Sequence, residues 1–283
     1  RHVTPACAFG HARPMSDALT PARAALLWLP ALGVPARKYD RLGAALAARG
    51  IALGVHEWRG TGAHPALPSR RHDWGYRELL LEDIPATRSA LSAAHPGLPL
   101  LYGGHSIGAQ FAVLAAALHG GAEGLVAVGS GVPHWRLFPA PLRWLVGSFG
   151  QVLPPLTRAV GSYPGHRLGF AGREAGQLMR DWAQTVRRGH YDGLPGLPER
   201  LGERIAALDL PFLGLRLAED RLVPAASLRA LIAATGSVAS QERVLEAQHL
   251  GVAADHFAWM REPRAVADAI AGWWPDGRGG VSS

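Results

Sequence analysis

Cysteine is almost absent from this chain. Cys7 stands alone, so no disulfide can close within it and nothing in the sequence calls for an oxidising compartment. Lysine is equally scarce: Lys38 is the sole one, and the excess of 29 basic over 22 acidic residues is therefore carried by arginine. The arginines are scattered, and their longest runs are the pairs Arg70-Arg71 and Arg187-Arg188. A nucleic-acid surface gathers its charge into a patch or stripe, so no nucleic acid is expected as a partner. Long hydrophobic runs are missing too. The most apolar stretch, residues 24–34, is far shorter than a membrane span and contains Pro30. Residues 1–20 lack the basic-then-apolar order of a signal peptide. The expected location is therefore the cytoplasm, with no membrane partner. Neither a His-Glu-x-x-His run nor a Cys and His cluster occurs, since His56-Glu57 has no second histidine, so no metal is expected. No repeat or low-complexity tract is visible, and nothing specifies an oligomeric state.

What is present is enough apolar sequence for one large core: 283 residues, 48% of them hydrophobic. Short apolar runs alternate with helix-periodic segments, the pattern of an α/β fold with a mostly parallel sheet and helices on both faces. Residues 24–29, 51–55, 98–102, 125–128, 211–217 and 242–245 read as strands. Tyr39, Leu42 and Leu46 share one helix face, with Gly50 as the stop. Asp73 reads as the N-cap of a helix carrying Leu80, Ile84 and Leu91 and bent at Pro85. Ile107, Phe111, Leu114 and Leu118 mark a further helix ending at Gly120, and two more follow at 224–234 and 263–273. Between Pro133 and Leu208 the alternation stops, prolines and aromatics crowd together, and no strand pattern is visible. The expected organisation is a core of residues 1–132 and 209–283 with an inserted helical cap at 133–208.

Gly104-His105-Ser106-Ile107-Gly108 has the G-x-S-x-G form of a nucleophile elbow. The two glycines let strand and helix approach while the serine is held in a strained turn. Composition alone would produce roughly 0.2 such matches in a chain this long, so the motif gains its weight from context. An apolar strand precedes it and an apolar helix face follows. A serine nucleophile needs a base and an acid that orients it, in the chain order Ser, Asp or Glu, His. Asp220, in the turn after the strand at 211–217, is the leading acid, with Glu219 as its rival. Among His190, His249 and His256, the last follows the final strand and precedes the final helix, and is the expected base. The tetrahedral intermediate needs two backbone donors. Ile107 supplies one; Ala31 is preferred for the second because Pro30 has no N–H, and Leu32 stays open. Leu32, Trp135, Phe138 and Trp182 are candidate substrate-binding residues, on the expectation that cap aromatics face an apolar pocket.

The elbow, the 57–62 loop, the Asp220-Arg221-Leu222-Val223-Pro224 turn and His256 together resemble the α/β-hydrolase superfamily from about residue 20 to the end. More narrowly, Gly104-His105-Ser106 with Gln110, His134-Trp135-Arg136-Leu137-Phe138-Pro139 and Asp255-His256-Phe257 resemble a bacterial group of α/β-hydrolases of unassigned substrate. The resemblance implies an eight-stranded sheet with a helical cap and no cofactor, with the first two strands inside residues 1–23. The expected activity is carboxylic-ester hydrolysis of a small-molecule substrate. The same machinery serves thioesterases, acyltransferases and aminopeptidases, and a broken triad would leave a silent ligand-binding fold.

Overall fold

The structure, a computed structural model, describes residues 20–168 and 171–274. Its strands are β1 (Ala24–Leu29), β2 (Ile51–Val55), β3 (Leu100–His105), β4 (Gly124–Val128), β5 (Ser162–Pro164), β6 (Arg173–Ala175), β7 (Phe212–Leu217) and β8 (Ser240–Leu245). The helices are α1 (Asp40–Ala47), α2 (Tyr76–Glu78), α3 (Ile84–Ala94), α4 (Ile107–His119), α5 (Leu142–Val160), α6 (Gly165–Leu168), α7 (Gly176–Arg188), α8 (Leu201–Ala206), α9 (Ala225–Ala234), α10 (Ala247–Leu250) and α11 (Arg264–Trp273). None is long and apolar enough to cross a membrane.

Six strands form one parallel sheet in the order β2-β1-β3-β4-β7-β8. The central strands read as unbroken apolar runs because helices cover both faces. Along β1, Ala25, Leu27 and Leu29 face a core shared with α3, α4, α8 and α9, while Ala24, Leu26 and Trp28 face α1 and α11. Edge strand β8 instead exposes Ser240, Gln241 and Glu242, a polar rim that discourages further pairing. The chain leaves β1 for β2 on one side and returns to β3 on the other, so the strand order reverses between β1 and β3. Ligands of open α/β sheets bind at the carboxyl ends of strands flanking such a switch. Leu29 pairs with Gly104 there, which sets the loop after β1 beside the elbow after β3.

Several expectations need correction. The sheet has six strands among the described residues; the two further strands expected within residues 1–23 lie mostly outside those described, and 20–23 form none. Strand β3 starts at Leu100 and continues through Gly103-Gly104-His105, because glycine lowers strand propensity without breaking a strand paired on both sides. Helix α4 is buried from Ile107 through Ala116 rather than along one face. The region 133–208 does contain strands, the short antiparallel ribbon β5–β6. The bend near Pro85 is a wider π-helical turn over Leu79–Asp83, where the missing proline N–H removes one α-helical bond.

Asp73 does not cap its own helix. Its carboxylate accepts from the Gln177 N–H of α7 at 2.8 Å and from Arg180 Nη2 at 2.7 Å. In return Asp181 of α7 accepts from the Tyr76 N–H of α2 at 2.9 Å. Each helix start is thus satisfied by an acid of the other, where unpaired N–H groups and the dipole favour negative charge. These crossed caps tie α7 to the core. Beyond them, Leu153, Tyr163, Met179 and Ala183 gather with Phe149 and Trp182 into a small cluster of their own, so part of the aromatic crowd is internal packing. Tyr191, Leu194, Leu197, Leu201 and Ile205 join the main core instead.

The ribbon reaches the loop after β1: a Cβ on Gly33 would lie 2.5 Å from the Gly172 nitrogen. Glu174 holds that turn by accepting the Gly172 N–H at 2.9 Å. Burial pushes its carboxyl up from 4.5 to about 6. A raised carboxylate pKa favours the folded state while the group is protonated, so this contribution is complete below the unfolded value and disappears as pH rises through about 6. Wild type should lose on the order of 2 kcal/mol from this group between pH ~4 and ~7. Urea unfolding of Glu174→Gln should show a correspondingly flatter pH profile. Parallel profiles for variant and wild type would refute it.

Candidate active site

Ser106 sits between β3 and α4 with φ 56° and ψ −127°, a left-handed conformation that a side chain rarely adopts. Close packing enforces it. A Cβ on Gly104 would stand 2.4 Å from the Gly108 carbonyl carbon, and one on Gly108 would stand 1.9 Å from the Leu29 carbonyl oxygen. Only glycine permits either approach. Two further bonds pin the elbow: the Ser106 N–H donates to the Val128 carbonyl at 3.0 Å, and the Ser130 hydroxyl donates to the Ser106 carbonyl at 2.5 Å. Ser106 itself is half-buried.

From the neighbouring strand ends come Asp220 and His256. His256 Nδ1 donates to Asp220 Oδ2 at 2.8 Å, with only 5% and 2% of the two side chains exposed. The other carboxylate oxygen accepts the Leu222 and Val223 N–H groups at 2.8 and 3.1 Å. Both Asp220 oxygens are therefore occupied and the carboxylate is fixed in orientation. Gly129, after β4, comes close to both: a Cβ there would meet Asp220 Oδ2 at 3.2 Å and His256 Nδ1 at 3.4 Å. Glu219, the rival acid, is exposed and lines an open groove of about 1530 Å³ along the outer side of His256. His249 instead accepts the Glu246 N–H within α10. Asp255 accepts the Phe257 and Ala258 N–H groups, which hold its carboxyl below the ordinary range.

His105 links the elbow to this pair. Its ring lies 4.7 Å from that of His256, and full burial, aided by the nearby His256 charge, keeps its pKa well below the ordinary value. No hydrogen bond joins the Ser106 hydroxyl to His256 among the described residues; such contacts are commonly long until substrate is bound.

The preference for Ala31 as an oxyanion donor is corrected. Its N–H donates to the Tyr39 hydroxyl at 3.0 Å and is not free for a ligand. Counting which residues possess an N–H could not reveal that a side chain eight positions away takes this one. Leu32, in the following turn, and Ile107, the first residue of α4, have no acceptor for their N–H among the described residues.

Of the four candidate substrate-binding residues, Leu32 and Trp182 pack at the junction of the main core and the small cluster of α5 and α7. Phe138 is buried. Trp135 lies apart, tilted on Trp144 at 5.6 Å, with the Arg136 guanidinium 5.2 Å from its ring. Trp144 is 62% exposed, while Trp135 is half-buried against α5 at Gly147. Sequence reasoning missed Tyr39, Trp58 and His105 as parts of the site. Tyr39 reads as a helix-face core residue, while Trp58 and His105 stand only as members of the 57–62 loop and of the elbow motif.

Residues 20–249 match the family described as serine aminopeptidase, S33. No curated protein matches the chain at a significant level. Among solved structures, a monoacylglycerol lipase of Paleococcus ferrophilus superposes with TM-score 0.60 at 17% identity, over 90% of this chain and 96% of that one. A soluble variant of monoglyceride lipase from Saccharomyces cerevisiae gives 0.64 at 14% identity, over 92% and 88%. A thioesterase of the prodiginine pathway of Streptomyces coelicolor gives 0.54 at 16%, over 92% and 91%. At these identities the superpositions speak to the fold, which matches the six-stranded sheet described above. The chain belongs to the serine aminopeptidase S33 family and, through it, to the α/β-hydrolases.

Proposed function

We propose that this hydrolase cleaves ester-type bonds of small or medium apolar substrates through an acyl-enzyme on Ser106, with His256 as base and Asp220 as the orienting acid. The observation that carries the reading is the buried His256–Asp220 pair beside a serine held at positive φ. Ser106 Oγ bonds to the substrate carbonyl carbon as His256 Nε2 takes its proton. The leaving alkoxide departs with that proton, and water, deprotonated by the same imidazole, releases the acid. Asp220 keeps the other ring proton on Nδ1, so that Nε2 is the basic nitrogen. Leu32 and Ile107 N–H groups stabilise the oxyanion, Leu32 replacing Ala31. Residues 133–208 act as a cap, and the Leu32–Trp182 junction supports an apolar acyl site beneath it. The groove past His256 suits the departing group.

A fluorophosphonate probe should label Ser106, and Ser106→Ala or His256→Ala should lower turnover by roughly 10⁴ to 10⁶. Undiminished hydrolysis by either variant would refute the assignment. Asp220→Asn should cost about 10⁴ in kcat through the wrong tautomer, against little change for Glu219→Gln. The reverse order would return Glu219 to the role. Along p-nitrophenyl esters, kcat/KM should rise from acetate toward hexanoate, each methylene contributing at most about 0.8 kcal/mol. Trp182→Ala should flatten that series and Trp135→Ala should not. A flat wild-type series, or activity confined to thioesters or aminoacyl amides in the same panel, would redirect the substrate class.

A further inference from the structure

The peptide between Pro30 and Ala31 is gripped at both of its polar ends. The Trp58 indole N–H donates to the Pro30 carbonyl at 3.1 Å, and the Ala31 N–H donates to the Tyr39 hydroxyl at 3.0 Å. The two side chains come from different elements, Trp58 from the loop after β2 and Tyr39 from the turn preceding α1, and both are buried. Because a peptide's C=O and N–H point in opposite directions from one plane, holding both stops that plane from rotating. This peptide leads directly into Leu32, and its carbonyl lies where a Cβ on Gly108 would collide with it.

Tyr39 reaches the elbow as well. Its hydroxyl accepts from Ala31 and shares a second hydrogen bond with His105 Nδ1 at 2.9 Å. The His105 ring lies against that of His256. One hydroxyl thus joins the loop after β1, the residue preceding the nucleophile and, through ring contact, the imidazole.

We infer that Tyr39 and Trp58 are positioning residues that clamp the Pro30–Ala31 peptide and thereby aim the following N–H at the oxyanion. Neither touches substrate. The inference rests on the serine-hydrolase reading above, and it assigns these side chains a share of transition-state stabilisation rather than of substrate binding. Removing an oxyanion donor outright costs about 10² to 10³ in kcat; loosening one should cost roughly 10- to 100-fold.

The test is Tyr39→Phe, which deletes one oxygen. Three readouts are needed on the folded protein: kcat and KM for an ester that wild type turns over, and affinity for a trifluoromethyl ketone, whose adduct with serine carries an oxyanion. The expected result is a kcat lowered roughly 10- to 100-fold, KM within about twofold, and ketone affinity lowered by the same factor as kcat. Trp58→Phe should repeat this signature, and the double variant should cost less than the product of the two, since both act on one peptide. Should Tyr39→Phe fail to fold, Trp58→Phe carries the same test. Ketone affinity unchanged in a folded variant overturns the clamp, whether or not kcat or KM has moved. Ser106→Ala run alongside separates the two levels: if it abolishes turnover while Tyr39→Phe behaves as wild type, the clamp alone fails, and if it retains turnover, the serine reading fails first.

Discussion

A contact closer than any Cβ would tolerate organises this molecule. Where α4 leaves the elbow, Gly108 lies against the Leu29 carbonyl, and an added methyl would stand 1.9 Å from that oxygen. The approach forces Ser106 into its left-handed conformation and draws the loop after β1 onto the first turn of α4. Two segments far apart in the chain are thereby set beside each other, one presenting a serine and both presenting backbone N–H groups. The strain is sustained because parallel pairing on both sides of β3 over-determines the turn.

Around that contact several polar groups are matched in pairs. The Pro30 carbonyl goes to Trp58, the Ala31 N–H to Tyr39, and the Asp220 oxygens to His256 and two backbone donors. Burial holds the His105 pKa well below the ordinary value, which disfavours a second positive charge beside His256. Trp259 extends the set by donating its indole N–H to the His256 carbonyl at 3.1 Å. Rigid elements rather than side-chain freedom hold the geometry, which is how a site avoids reorganisation at the moment of reaction.

The region 133–208 is attached by a different logic. Asp73 and Asp181 exchange helix caps across more than a hundred residues, and Glu174 braces a turn that packs on Gly33. Burial lifts the Asp181 and Glu174 carboxyls to about 6, so the attachment of this region responds to pH near that value. The aromatics there have separate surroundings: Phe149 and Tyr163 pack internally, Trp144 meets solvent, and Trp182 joins both cores.

The sequence by itself determined the parallel α/β class, most strand bounds, the elbow, and Asp220 and His256 as neighbours. Local patterns encode these directly: buried strands are apolar runs, a G-x-S-x-G turn needs its glycines, and chain order places acid and base at successive strand ends. Asp220 is buried against His256, whereas Glu219 is exposed. Tertiary structure alone decided what depends on partners distant in the chain. It gave the Ala31 N–H to Tyr39, sent Asp73 to α7 instead of its own helix, paired β5 with β6, and set Trp135 against Trp144. In each case the residue type allowed the expected role. A hydrogen-bond donor or an aromatic face has no fixed partner until the chain is folded, and the partner that packing brought within reach was not the nearest in sequence.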